Sequence, residues 1–319
     1  MKRLAPVLGA LVLVGAVVAV VMWHQSEPAP KYVVLQYADG SELWRTGDPE
    51  TPLVRQVVRE LGTRASLSLD ELRKTGAVVV TTIDAKAQSG AMAVIRESSA
   101  ALQYSITAVD PASGAVRTYA PGNDPAVDYA GGVVREPGAA FFPFDAVALV
   151  QDGKALSQTA DPRKALRAAQ RAGVPEFADI EGTRTKLLDG SGLRPFDLAS
   201  AYATLAADGV HRDAHFVTHV SGGDGATLHQ ARDTPQPAFD RDALRSKDIS
   251  GQVTRVLRDD PACGDNPEMA CRTAALDRHA WMVACTPQLS VSVFVGGEQA
   301  VDVGLPKALW QKFLEKLKP

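Results

Sequence analysis

From Leu4 to Trp23 the chain runs for twenty residues without a charged side chain, preceded by Lys2 and Arg3. A bilayer core offers no water to a backbone N–H or C=O, so such a run has to satisfy its own polar groups, and a helix does so. At about 1.5 Å per residue it spans the roughly 30 Å of hydrocarbon. Lys2 and Arg3 favour the cytoplasmic side, which sends the rest of the chain out of the cell. A secretory signal is the other reading of an N-terminal apolar run, but no A-x-A cleavage site follows this one. The expectation is an uncleaved anchor over residues 1–24, single-pass in the plasma membrane, with the bulk of the chain extracytoplasmic.

That placement puts the three cysteines in an oxidising compartment. Cys263 and Cys271 bracket the turn-rich stretch CGDNPEMAC and are able to pair, although spacing alone does not decide it. Cys285 falls in an apolar, strand-like run and is expected as a buried thiol. Hydrophobic residues at 45% supply a sizeable core. A net charge of -3 with both signs dispersed excludes a nucleic-acid partner.

A short polar, proline-bearing linker, Gln25 to Pro30, leads to a hairpin over residues 31–47 that turns at Ala38-Asp39-Gly40. Helical spacing of Leu53, Val54, Val57, Val58 and Leu61 follows, then a short helix over 69–75 with Ser68 as N-cap. A strand over 77–83 and a helix over 84–97 come next. Strands at 104–109 and 115–119 flank a turn built from Asp110-Pro-Ala-Ser-Gly114. Residues 161–172 read as a basic helix and 183–192 as a loop. Pro195 to Asp208 is the clearest helix, with Pro195 in its first turn and Gly209 placed to cap it. Two further hairpins, at 216–229 and 280–295, precede a last helix at 307–318, whose apolar face is Leu309, Trp310, Phe313, Leu314 and Leu317. Hairpins among helices predict a mixed, α+β domain with an antiparallel sheet.

One stretch stands between the two halves of that pattern. Arg135 to Phe144 reads REPGAAFFPF, a Pro-Gly turn opening an apolar helix start that continues to Val150.

Set among its neighbours, the stretch resembles part of the penicillin-binding transpeptidase domain of bifunctional cell-wall synthases. The resemblance rests on segments in the same order: Tyr37-Ala-Asp-Gly-Ser-Glu-Leu43; Val80-Thr-Thr-Ile-Asp84 with Gln88; Ala108 to Val116; Phe196 to Thr204 with Gly209-Val-His-Arg212; and Trp281 to Gly296. It implies a serine β-lactamase/transpeptidase-like fold, an antiparallel sheet flanked by helices, carried on the N-terminal transmembrane helix. The expected division is an anchor at 1–24, a linker and small hairpin/helix region at 25–76, and the penicillin-binding transpeptidase-like domain at 77–319. Two places are shorter than the pattern. Between Gly47 and Thr51 there is no room for a glycosyltransferase domain, and Val150 to Asp161 lacks the length that carries the second active-site motif.

The family's chemistry uses S-x-x-K, S-x-N and K-T-G. Here Ala139 stands at the serine position and Phe142 at the lysine position. No serine in the chain has a lysine three residues later, and no S-x-N or Y-x-N exists. Arg272-Thr273-Ala274 takes the place of K-T-G, and the one true Lys74-Thr75-Gly76 reads as a helix end capped by glycine. Loss of the nucleophile of a serine acyl-transfer enzyme costs about a millionfold in rate. The expected protein is therefore a pseudo-transpeptidase, binding or scaffolding in peptidoglycan assembly through a stem peptide or cell-wall assembly proteins, with neither metal nor other cofactor.

Ala139 and Phe142 are expected to pack into the space a polar site would leave open, or else Phe141 and Phe142 line an apolar groove. Arg272 and Thr273 either hold a carboxylate or sit on a solvated sheet edge. Thr273 and Ser157 are the remaining candidates for a different nucleophile. A third reading is a structural envelope protein that does not recognise peptidoglycan. His211, His215 and His219 recur every four residues, but the last two fall on a strand and no carboxylate completes a metal site.

Overall fold

A computed structural model describes residues 31–175, 192–264 and 266–318. The expected anchor at 4–23, the linker at 25–30 and most of the 183–192 loop lie outside those residues. Among the described residues no helix is long and apolar enough to cross a membrane.

The chain opens with the antiparallel pair β1 (Val34–Gln36) and β2 (Glu42–Arg45). Thr51 then caps α1 (Pro52–Glu60), accepting a hydrogen bond from the Val54 amide, and Leu53, Val54 and Val57 bury its apolar face. Ser68 and Glu71 form a reciprocal capping box at the start of α2 (Leu69–Thr75), which ends on Gly76 in the left-handed conformation. Next come β3 (Val78–Thr81) and α3 (Ala85–Arg96), the latter capped by Asp84. β4 (Gln103–Val109) and β5 (Val116–Ala120) form the hairpin expected around Asp110 to Gly114.

A 3₁₀ turn at Gly138–Phe141 runs into α4 (Phe142–Gln151), followed by α5 (Pro162–Arg171) and α6 (Pro195–Ala206). The strand pieces β6 (Val210–His211), β7 (Val217–Ser221), β8 (Thr227–Gln230) and β9 (Gln236–Pro237) come next. They precede α7 (Ala243–Arg258), the strands β10 (Ala270–Leu276), β11 (His279–Cys285) and β12 (Ser290–Gly296), and the closing helix α8 (Leu305–Leu317).

Two five-stranded sheets result, in the orders β2-β1-β3-β7-β8 and β10-β11-β12-β4-β5. The second is antiparallel throughout, as expected. The first holds one parallel pair, β1 with β3, because two helices intervene between them and return the chain in the same direction. The boundary expected between residues 76 and 77 therefore runs through a hydrogen-bonded sheet. Glu60 strengthens that joint, its carboxylate accepting from the Phe216 amide at 2.8 Å and the Val217 amide at 3.0 Å.

The larger sheet is covered on both faces. On one, Val94, Ile95, Leu309 and Phe313 of α3 and α8 bury Ile106, Val291, Val293 and Val295. On the other lie α4 to α7, with Phe144, Val147, Tyr202, Ile249 and Leu257 against Trp281, Val283 and Phe294. Alanines at 199, 201 and 203 let α6 approach closely enough for the Ser290 hydroxyl to donate to the Ala199 carbonyl at 2.7 Å. α7, sixteen residues long, is held the same way: its Ser246 and Ser250 hydroxyls donate to the Gly209 and Leu205 carbonyls, each at 2.8 Å.

Candidate functional site

The 3₁₀ turn is where the sheet edge, α6 and α4 meet. Gly138 has φ +51°, and a Cβ there would stand 3.0 Å from Leu276 Cδ1 and 3.4 Å from Ala274 Cβ, so the turn lies directly on β10. Two β11 side chains reach the preceding peptide. Trp281 Nε1 donates to the Glu136 carbonyl at 2.9 Å, and a His279 ring nitrogen sits 2.9 Å from the same oxygen. From the other side the Tyr202 hydroxyl of α6 donates to the Ala140 carbonyl at 2.9 Å. Tyr202 is fully buried, and burial pushes its phenol well above the ordinary range, so it stays a neutral donor. Residues 136 to 140 are thus held between aromatic donors, with Phe144 beneath packed tilted against Phe141 and edge-on against Tyr202.

This corrects the packing expected of Ala139. Its neighbours Ala140 and Phe141 are the residues that go into the core, while Ala139 is exposed. In a 3₁₀ turn successive side chains fan around the axis, and the backbone contacts that fix 136, 138 and 140 aim 139 outward. Phe142 is half-buried, and its ring carries the Arg272 guanidinium 4.5 Å above its centroid.

Arg272 lies on the edge strand of the larger sheet, half-buried and already paired within the protein. Its Nη1 pairs with Asp260 Oδ2 at 3.0 Å, and its Nε is buried without a hydrogen-bond partner among the described residues. The other Asp260 oxygen caps the 3₁₀ turn Pro261–Cys263 by accepting from the Ala262 amide at 2.9 Å. A disulfide joins Cys263 to Cys271, the residue before Arg272, and so ties this turn to β10. The pairing left open by spacing is therefore made. Ala274, on the same strand face as Arg272, is buried against Gly138. Strand alternation turns Thr273 to the opposite face, across from Met282 and near the Cys271 cluster. Arg272, Ala274, Phe142 and Ala139 are thus brought together, and Thr273 is not.

Ser157 is exposed in the turns that follow α4. The connection there runs only from 152 to 161, and Asp152 fastens it with bonds from Lys164 and, at 3.4 Å, Lys154. The Lys164 bond, ahead of the other contacts, holds the Asp152 carboxyl below its usual range. Lys74-Thr75-Gly76 is a helix cap, with Thr75 Oγ1 donating to the Leu72 carbonyl at 2.9 Å. Among the described residues no group of three His, Cys, Asp or Glu is placed to hold a metal. Cys285 is buried, its thiol pushed up to about 12 by burial. Asp145 lies in the first turn of α4, and burial raises its carboxyl to about 6.

The sheet with helices on both faces, and the helix start seated on its edge strand, make an α+β domain. No family model matches the chain. It is 26% identical to penicillin-binding protein 1A of Mycolicibacterium smegmatis over 85% of this chain and 45% of that protein. The same protein of Mycobacterium tuberculosis matches at 26%, over 85% and 43%. The chain thus spans less than half the length of these curated relatives. Among solved structures, PonA1 of M. tuberculosis superposes with a TM-score of 0.72 at 23% identity, covering 83% of this chain and 89% of that one. The D,D-transpeptidase domain of a peptidoglycan glycosyltransferase from Eggerthella lenta gives 0.67 at 16%, covering 91% and 98%. Homologues and structural neighbours alike are penicillin-binding proteins, and the fold is that of their transpeptidase domain.

Proposed function

We propose that the chain is a catalytically inert, membrane-anchored transpeptidase-like protein that serves as a binding or scaffolding module in peptidoglycan assembly. One observation carries the reading: the position that matches the catalytic lysine is a phenylalanine lying under the arginine of the degenerate third motif. A lysine at 142 would be a proton relay for a serine at 139; Phe142 relays nothing, and Ala139 offers no nucleophile. The short, ion-paired connection from 152 to 161 supports the absence of a second motif. Exposure of Ala139 supports a surface that a peptide can still approach. Residues 4–23 are the proposed anchor, with the bulk of the chain extracytoplasmic.

The test is fluorescent penicillin labelling of the purified chain, followed by calorimetric titration with a stem-peptide mimic ending in D-Ala-D-Ala. The reading expects no covalent adduct and saturable binding of the mimic. A hydrolysis-sensitive adduct would overturn inertness and favour an active D,D-transpeptidase with another nucleophile. A second reading, an envelope protein without peptidoglycan recognition, is favoured by the Arg272–Asp260 pair, since the arginine already holds a carboxylate. No binding at millimolar mimic supports it.

A further inference from the structure

Two open clefts, of about 630 and 640 Å³, share Arg64 and Asp213 in their walls and so form one trough. The first runs between the end of α5 and the start of α6; the second follows β8. No lining residue belongs to β10, β11 or the 3₁₀ turn at 138–141, so the trough is separate from the site described above.

Among the described residues, the carboxylates that line the trough each have a partner within the protein. The Glu60 carboxylate takes the Phe216 and Val217 amides. Asp197 is held by Arg194 through two bonds of 2.7 Å. Asp213 lies 3.2 Å from a His211 ring nitrogen, and Asp233 lies 3.3 Å from Arg212 Nε.

Arg64, Arg167, Arg171 and Arg232 are exposed on the same walls. Among the described residues none of the four takes part in an ion pair. Among the described residues the lining thus sets five arginines against four carboxylates, in a chain of net charge -3, and the four unpaired guanidiniums are the ones left facing the clefts.

The walls are also firm. Arg167 and Arg171 stand one helical turn apart on α5, whose opposite face buries Ala165, Ala168 and Ala169. Where the chain leaves α5, Gly173 has φ +111°, and a Cβ there would meet His211 Cε1 at 2.7 Å. His211 is in turn 3.1 Å from Thr204 Oγ1 through Nδ1.

We propose that this trough binds a linear polyanion. Its oxyanion groups pair with Arg167 and Arg171 in one cleft and with Arg232 in the other, and Arg64 bridges the two. Guanidinium forks donate to phosphate and carboxylate oxygens alike, so either group on a polymer meets the requirement. An extended ligand fits better than a single ion because the four cations are spread over two joined clefts.

The test is fluorescence anisotropy on the full-length chain at about 50 mM salt, where surface charge is weakly screened. The labelled probes are polyphosphate and polygalacturonate, with orthophosphate as the monomeric competitor. The charge-neutral variant R64Q/R167Q/R171Q is compared with R73Q/R96Q/R255Q, which removes three exposed arginines outside the trough. Thermal melts of both confirm folding. The expected result is polymer binding that the trough variant weakens by about tenfold or more and the control variant by less than about twofold. Binding should also fall steeply as salt rises. The polymer that binds assigns phosphate or carboxylate as the recognised group. Equal losses in the two variants, competition by orthophosphate at the same concentration of anion, or no binding of either polymer would each overturn the proposal.

Discussion

The Arg272 guanidinium stacks 4.5 Å over the Phe142 ring and at the same time pairs with Asp260 at 3.0 Å. Seen from Phe142, a helix start and a sheet edge that in an acyl-transfer site would frame a polar cleft are joined here by an aromatic-cation contact. A cation-aromatic contact between such half-buried groups is worth about 1 kcal/mol, and truncating the ring also loses its apolar burial. Phe142→Ala should therefore lower unfolding free energy by about 2 kcal/mol in a urea titration, and Phe142→Leu by less.

Restoring the family residues should not restore chemistry. Ala139→Ser with Phe142→Lys places a second cation beside Arg272, which keeps only Asp260 to balance two charges. The pair should be less stable than the parent by about 1 to 3 kcal/mol and should give no fluorescent penicillin adduct, since nothing supplies the second motif. A labelled band on a denaturing gel would contradict this.

Asp260 carries a separate expectation. With Asp260→Asn the arginine keeps its ring but loses its carboxylate. If Arg272 is blocked only by this internal partner, a stem-peptide mimic should bind the variant several-fold more tightly than the parent in calorimetry. Unchanged affinity would mean that the guanidinium is closed off by its seat over the Phe142 ring rather than by its partner.

The thiols give a count. Parent protein should show no thiol reactive toward a chromogenic disulfide reagent in the native state. One should appear after denaturation without reductant, from Cys285, and three after denaturation with reductant. Burial, which holds the Cys285 thiolate out of reach at neutral pH, is the reason for the first number.

Most elements were legible because their signals are local. Ser68 caps its helix as expected, Asp84 and Asp161, read as first helical residues, cap theirs, and the Asp110 turn makes its hairpin. α7 was missed. Its Ile249, Val253 and Leu257 stripe has helical spacing, but Ser246, Ser250 and Gly251 interrupt the apolar pattern, and only the structure shows the two serines spent on carbonyls of the preceding segment. β10 was placed at a sheet edge only through Arg272 and Thr273, without bounds. In the site, the absence of a serine and a lysine could be read directly. That Asp260 occupies Arg272 could not, because twelve residues and a disulfide-closed turn separate them, and spacing does not fix which carboxylate comes round.

Asp145 contributes its own pH dependence to stability. It stands in the first turn of α4, where the helix dipole favours a carboxylate, yet burial outweighs that and raises its pKa from 3.8 to about 6. The folded protein then binds this proton more tightly than the unfolded chain. The stabilising contribution is complete below about pH 4 and is lost as the pH rises through about 6, beyond which stability no longer changes on this account. Because the side chain is only partly buried, the full linkage value is discounted to about 1 kcal/mol. Asp145→Asn removes the ionisable group while keeping its shape. The variant should match the parent at pH 4 and exceed it by about 1 kcal/mol at pH 8 in urea titrations, with a correspondingly flatter profile between. A variant less stable than the parent at pH 8 would show that the ionised carboxylate is held by a cation, and that burial does not govern this group.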